Sequence, residues 1–278
     1  MRDVALIDNS AAHRSTRSET LVWSIEPALR DGEGQTWYAD VEIPRSHWLC
    51  HPVPDVIPVT LLAEAFRQAG MAICVAGLGM GQSVHFVVSS MTVVLDAEPL
   101  HFPRFGAFEG HLEVTFAEIG YRKGVPYVLD VDYVLPGVAS GHVDARILSD
   151  RDYRVMRRNA VPLDDEVRTS LAPLIDGVER DGDHAVARLG VNESDPFFFD
   201  HAVDHLPGML LLHAVARIHE DEHGVPPRFL TIAFPTFGEF RTATTIAADF
   251  SPTGSEVAFM QGDRIIATAT TDAHDISA

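Results

Sequence analysis

The chain has 278 residues, 46% of them apolar and 22% charged, and its 40 acidic and 21 basic residues leave a formal net charge of −19. These values describe a folded globular chain with room for one large domain or two smaller ones, and they leave no low-complexity tract to read as disorder. The acidic excess disfavours nucleic acid or an anionic membrane as the main partner, so an anionic small molecule has to be met by locally placed arginines.

Residues 1–17 are polar and small, with charge in the first three positions and no apolar run of seven, which predicts a flexible leader and not a secretory signal. Residues 20–27 (TLVWSIEP) and 35–43 (QTWYADVEI) read as two strands joined by the DGEG turn. Residues 51–70, HPVPDVIPVTLLAEAFRQAG, pass from a proline-punctuated loop into an apolar helix. The helix is expected over about 58–78, with Pro58 in its first turn and Gly77 and Gly79 at its end. The weakly polar run near 70–81 is shorter than the roughly 20 residues a bilayer-spanning helix needs, so a cytoplasmic protein is expected. The two cysteines, Cys50 and Cys74, are too few for a disulfide framework and fit buried free thiols better than nucleophiles.

Four strand-like runs follow, HFVVSSMTVVLD, HLEVTFAEIGY, VPYVLDVDYVL and VASGHVDARIL, with connections short enough for an antiparallel meander. Residues 151–177 lose this pattern and read as a connection that holds a short helix. The second half repeats the order of the first: a strand HAVARLGV, a loop running into a helix within DPFFFDHAVDHLPGMLLLHAVARIHEDEHG, and four more strands, RFLTIAFPTFGEF (228–240), TATTIAADFS, EVAFMQ and RIIATATT. With Pro58 placed over Pro207, Leu61 and Leu62 fall on Leu210 and Leu211, and Glu64 falls on His213. A period near 150 residues means domain duplication. A helix apolar nearly all round has to be covered on most sides, and a curved antiparallel sheet does that. The expectation is an α+β double hotdog, with domains at 18–150 and 178–275.

Three stretches carry a resemblance to a known family: LLAEAFRQAG, FDHAVDHLPGMLLLHAVAR, and ASGHVDARILSDRDYRVMR between them. Together they resemble the A-factor biosynthesis hotdog-repeat family of γ-butyrolactone synthases, over about residues 20–271. The resemblance implies an acyltransferase that joins a β-ketoacyl group, carried as a thioester on acyl carrier protein or coenzyme A, to the hydroxyl of dihydroxyacetone phosphate. The ester then closes to a phosphorylated butenolide. It implies no cofactor, and either a monomeric double hotdog or a homodimer. The family pattern has Glu on the second helix, where this chain has His213, and the following arginine, Arg217, stands one residue later than in the pattern.

Glu64, Arg67 and Gln68 are spaced i, i+3, i+4 and share one helix face, which makes Arg67 and Gln68 candidates for substrate contacts. His51 lies in the loop before the helix, in an arrangement that resembles hotdog dehydratases with a loop histidine opposite a helix acid. A carboxylate and an imidazole so placed exchange protons with a thioester or an attacking hydroxyl, and partial burial would raise the Glu64 pKa. The opposing reading is a buried structural cluster in which Glu64 pairs with Arg67, and Gln68 bonds a loop carbonyl.

In the second half Asp200, His201, Asp204, His205 and His213 crowd around PGMLLL. His201 and His213 are candidate proton carriers, and Asp204, His205 and Arg217 are candidate substrate contacts. Zinc is one rival explanation, but HAVDH has no familiar metal spacing, so no metal is expected; the other is structural, with an Asp capping the helix and a His bonding carbonyls. Arg217 otherwise pairs with Asp221 at i+4, and Arg154, Arg157 and Arg158 form a basic cluster that suits a phosphate, an acidic carrier protein or plain solvent. The run PFFFDH cannot turn all three rings one way from a strand, so at least one is a candidate for a ligand tunnel or the inter-domain seam, the plainer alternative being core. Two other functions fit the same scaffold: dehydration or hydration of an acyl thioester, and non-catalytic binding of an acyl chain or butyrolactone.

Overall fold

Proline sets where each long helix begins. In this computed structural model, which describes residues 4–28, 35–50, 55–81, 84–96, 100–122, 125–160 and 166–273, Pro58 and Pro207 are the N-cap residues of helices α1 (Val59–Ala72) and α3 (Gly208–His223). Their φ angles are −61° and −60°, and the missing amide proton costs nothing there because the first amides of a helix have no intrahelical partner. The chain divides into two units, Met1–Val155 and Met156–Ala278. Each is a hotdog, a long helix on an antiparallel sheet, and the whole chain is an α+β double hotdog.

The first unit contains strands β1 (Ala5–Leu6), β2 (Val22–Pro27), β3 (Gln35–Ile43), β4 (Val84–Leu95), β5 (Phe108–Arg122), β6 (Val125–Leu135) and β7 (Ala139–Ser149). Their order in the sheet is β1-β2-β3-β5-β6-β7-β4, antiparallel throughout. Register shifts at Val88/Ser90 in β4, and at Phe116/Glu118 and Gly120/Tyr121 in β5, bend the strands. A short helix α2 (Asp150–Met156) follows. The second unit contains β8 (Ile175–Asp181), β9 (His184–Leu189), β10 (Phe229–Ala233), β11 (Thr245–Phe250), β12 (Gly254–Gln261) and β13 (Arg264–Asp272), in the order β10-β13-β12-β11-β9-β8. Buried and partly exposed residues alternate along β9 and β11, the period of a sheet that covers a core on one face.

Every residue of α1 except Arg67 is buried. The helix continues through a π turn, Ile73–Gly77, so that Val59–Gly77 spans 19 residues and is long and apolar enough to cross a bilayer by length and composition. This corrects the shorter run read from the sequence, but 83% of the segment is buried in the protein, as befits a core helix. Helix α1 packs on β2, β3 and β4. Phe66 stacks on Tyr133 of β6 with ring centroids 5.2 Å apart, above Gly141 of β7, where a Cβ would lie 2.6 Å from the Phe66 ring. A Cβ at Gly70 would overlap the Tyr133 hydroxyl. Helix α3 packs on β12 and β13 and ends at Gly224, whose φ of 72° lets its amide reach the Glu220 carbonyl.

Three expectations change. Residues 4–17 of the expected leader are packed: Ile7, Ala11, Ala12 and Arg14 are buried, and β1 pairs with β2. Strand β8 begins inside the expected connection 151–177, and the helix in that stretch is α2, at its start. The strand read over 228–240 stops as β10 at Ala233, because Pro235 cannot extend the ladder.

The close approach of α1 to β6 yields a stability prediction. Gly70→Ala destabilises the protein by about 1–3 kcal/mol, the usual cost of overpacking. Adding Tyr133→Phe removes the overlapping hydroxyl and recovers part of that loss. Urea midpoints of the two single variants and the double variant test this, and simple additivity would refute the contact.

Candidate functional site

Helical spacing brings Glu64, Arg67 and Gln68 together, and a fourth residue arrives from outside the helix. Arg14, from the N-terminal segment, donates through Nε to Glu64 Oε1 at 2.9 Å, and its Nη2 lies 2.5 Å from the same oxygen. Arg67 donates through Nε to Oε2 and through Nη2 to Oε1, both at 2.7 Å. Gln68 adds a bond from Nε2 to Oε1 at 2.8 Å. Glu64 has no solvent exposure. Burial alone would raise its carboxyl pKa, but the charges of Arg14 and Arg67 and the bonds from Arg67 and Gln68 outweigh that and hold it at about 2. The carboxyl is ionised at neutral pH with both oxygens engaged, a poor arrangement for passing a proton to a substrate.

Gln68 is committed to structure. Its Nε2 also donates to the Glu19 carbonyl at 2.8 Å, and its Oε1 accepts from the Leu21 amide at 2.7 Å, so the side chain anchors the entry to β2. Arg67 is the one member of the trio with surface, its side chain 19% exposed, and its Nη1 lies 2.9 Å from the Met71 sulfur. His51 lies outside the described residues.

The loop before α3 has different chemistry. Asp195 accepts through Oδ1 from the amides of Phe197 and Phe198 at 2.9 and 3.1 Å, a local turn that sends both rings into the core. Phe198 meets His213 with centroids 5.5 Å apart, and Phe199 meets Phe240 at 5.6 Å. Burial pushes the His213 pKa down to about 4, with the charge of Arg217 adding to the effect, so this imidazole is neutral where its counterpart Glu64 is ionised. Arg217 is exposed and ion-paired with Glu220 at 2.6 Å and Asp221 at 2.7 Å.

Two aspartate–histidine pairs stand in this loop. His201 Nδ1 lies 2.5 Å from Asp200 Oδ1, and His205 Nδ1 lies 2.7 Å from Asp204 Oδ1; both imidazoles are 32% exposed. A proton shared between Nδ1 and the carboxylate leaves the lone pair of the neutral ring on Nε2, the atom that can accept a proton from outside. The second pair also has support from the backbone. The His205 backbone bridges to Glu239, the Leu206 amide donates to the Gly238 carbonyl at 2.9 Å, and the Phe237 ring lies 4.8 Å from the imidazole. The first unit repeats this backbone at the duplicated positions, with a bridge between Val56 and His101 and a bond from the Ile57 amide to the Leu100 carbonyl.

Arg157, read from the sequence as part of a basic cluster, has a side chain only 7% exposed and bonds Asp204 and Glu239. Another motif escaped that reading: HEDEH, His219–His223, has the His-Glu-x-x-His spacing of zinc helices. Its ring nitrogens face the sheet, His219 Nδ1 at 2.8 Å from Thr271 Oγ1 and His223 Nε2 at 3.2 Å from Ser255 Oγ. They pin α3 to β12 and β13. Among the described residues, the group whose ligand atoms all lie within 4.8 Å is Asp130, Asp132 and His142, on the partly exposed face of β6 and β7. Burial works against a charge on His142, but its bond to Asp132 and the carboxylates of Asp130 and Asp144 outweigh it and raise the pKa.

A family model described as the A-factor biosynthesis hotdog domain matches residues 1–118 and 157–277. A Streptomyces coelicolor protein named 2-oxo-3-(phosphooxy)propyl 3-oxoalkanoate synthase is 29% identical over 237 residues, covering 79% of this chain and 75% of that protein. A Streptomyces griseus protein of the same name is 29% identical over 237 residues, with 77% of each chain covered. Among solved structures, a Lactobacillus plantarum protein described as an oleoyl thioesterase aligns with a TM-score of 0.58 at 10% identity, covering 86% of this chain and 96% of that one. At that identity the likeness shows the fold alone.

The Glu64 cluster predicts how stability depends on pH. The folded carboxyl titrates at about 2, below its ordinary 4.5, so its stabilisation is complete above about pH 4.5 and is lost as pH falls towards 2. Arg14→Met leaves a buried carboxylate with half its charge support and costs about 3 kcal/mol at pH 7. Urea unfolding of wild type and variant at pH 7 and pH 4 measures both effects; an unchanged midpoint at pH 7 would show that Arg14 is dispensable.

Proposed function

The chain belongs to the A-factor biosynthesis hotdog family, and we propose that it is an enzyme catalysing the ester-forming step for which its Streptomyces relatives are named. The product in that name is the ester of a 3-oxoalkanoic acid with the hydroxyl of dihydroxyacetone phosphate. The acyl donor in this reading is a 3-oxoacyl thioester of acyl carrier protein or coenzyme A. A thioester is the activated form whose sulfur leaves when an alcohol oxygen attacks.

The observation that carries the reading is the Asp204–His205 pair, a partly exposed imidazole with Nδ1 held 2.7 Å from a carboxylate. His205 Nε2 takes the proton of the acceptor hydroxyl as its oxygen bonds the thioester carbonyl carbon. The tetrahedral intermediate then expels the thiolate, the C–S bond breaks, and the imidazolium returns the proton to sulfur. Asp204, itself half-exposed, keeps the ring oriented and stabilises its charged form in between. His201, one of several candidate proton carriers on sequence grounds, has the same local pairing with a more buried aspartate, and the backbone bridge to Glu239 is what distinguishes His205. Backbone support of this kind helps hold a base in a productive geometry.

Glu64 takes a different role here from the proton carrier suggested by its spacing. Ionised and saturated, it orients Arg67, the one partly exposed residue of α1, for contact with an anionic oxygen. His213, neutral and packed on Phe198, serves as core, and Arg217 as a surface ion pair.

Incubation of the purified protein with a 3-oxoacyl thioester and dihydroxyacetone phosphate tests the reading. Free thiol and the phosphorylated ester are expected together, in equal amounts, by thiol titration and mass spectrometry. His205→Ala lowers kcat by about 10²- to 10⁴-fold, the range for a lost general base, in a protein whose circular dichroism is unchanged. Dehydration of a hydroxyacyl thioester with the phosphate compound untouched would support the dehydratase reading instead. Binding without turnover of any thioester would support a carrier.

A further inference from the structure

We infer that Arg157 is a positioning residue for the Asp204–His205 pair, holding the aspartate so that the imidazole keeps its proton on Nδ1. The inference rests on the reading of His205 as proton acceptor. Arg157 follows α2 in the sequence YRVMRR, 47 residues before Asp204, and no sequence spacing links the two.

The geometry is that of a fork closed on two acids. Nε donates to Asp204 Oδ2 at 3.2 Å and Nη2 to the Asp204 backbone carbonyl at 2.6 Å. Nη1 donates to Glu239 Oε1 at 2.8 Å and Nη2 to Glu239 Oε2 at 3.2 Å. With Oδ2 and the carbonyl of Asp204 both held, rotation of the carboxylate is blocked, and Oδ1 is left facing His205 Nδ1 at 2.7 Å. Glu239 is fixed in turn by Gln261 of β12, whose Oε1 accepts from the Glu239 amide and whose Nε2 donates to the Glu239 carbonyl, each at 2.8 Å. The Phe237 ring covers the assembly, 4.8 Å from the guanidinium carbon and 4.8 Å from the His205 ring.

Each feature requires an arginine. A lysine ammonium is a point charge that cannot span a carboxylate, a carbonyl and a second carboxylate in one plane, nor stack flat on the phenyl ring. A side chain 7% exposed is also placed to hold a neighbour and not to meet a phosphate or a carrier protein. If Arg157 only tied the loop down, its loss would lower stability and leave the imidazole tautomer and the balance of kcat and KM as they are. If it positions the pair, Asp204 turns away when the fork is removed, and the ring takes up the Nε2–H form, which cannot accept the hydroxyl proton.

The test uses the full chain with Arg157→Gln and Arg157→Lys, alongside His205→Ala. Two-bond ¹H–¹⁵N spectra of imidazole-labelled protein report the His205 tautomer directly. Wild type is expected to show a protonated Nδ1, and both Arg157 variants a shift towards protonated Nε2. Their kcat is expected to fall about 10- to 100-fold, the usual cost of removing a partner that orients a functional group, with KM nearly unchanged. Lysine is not expected to rescue. An inactive His205→Ala protein, together with Arg157 variants that keep wild-type tautomer and kcat, would overturn the inference and leave the proton-acceptor reading standing. A fully active His205→Ala protein would remove that reading and the inference with it. Should Arg157→Gln fail to fold, the bulkier, charged Arg157→Lys decides by the same spectrum.

Discussion

An ionised carboxylate at the centre of a helix buried everywhere but at Arg67 is the constraint around which the first unit is built. Taking such a charge out of water costs several kcal/mol even after relaxation, and the cost is recovered only when opposite charges and hydrogen bonds surround it closely. Arg14, Arg67 and Gln68 supply that surround for Glu64. The N-terminal segment is drawn in as a consequence. Arg14 has to be within reach, so residues 7–14 pack, and Gln68 fixes the chain at Glu19 and Leu21 just where β2 begins. A carboxylate that looks like a catalytic acid from its spacing is in this setting a tether for fifty residues of upstream chain.

The second unit shows what happens when the constraint is lifted. It begins its helix at the same proline, with the same φ and the same backbone bridge in the preceding loop. At the position of Glu64 it has His213, which burial keeps neutral. A neutral ring needs no counter-ions, and Phe198 packs against it. The polar groups of this half cluster in the loop, where His201, Asp204 and His205 stand partly in contact with solvent and the Asp200 side chain is buried beneath His201. Duplication followed by one change of charge type on the helix thus separates a structural ion cluster from a chemically accessible one.

The HEDEH segment makes the same point about context. Its spacing is that of a metal helix, but hydroxyls from β12 and β13 meet both histidines, and burial, reinforced by the neighbouring His223, holds His219 at about 4. What i, i+4 spacing guarantees is that the two rings share a face. What stands opposite that face depends on strand residues 32 and 52 positions downstream.

Local regularities were legible in the sequence. Alternation marked most of the strands, proline and glycine marked the ends of both long helices, and the duplicated letters around Pro58 and Pro207 disclosed the tandem architecture and its family. The sharing of one face by Glu64, Arg67 and Gln68 was equally visible, since it follows from 3.6 residues per turn. Tertiary structure decided the rest, because partners distant in the chain leave no periodic trace. Arg14 lies 50 positions from Glu64, and Arg157 lies 47 from Asp204 and 82 from Glu239. Each arginine sits in a stretch whose composition reads as solvated, a leader in one case and a basic run in the other. Only the folded chain brings them to the acids they serve, and that meeting determines whether a carboxylate carries a proton, orients a base or holds the fold together.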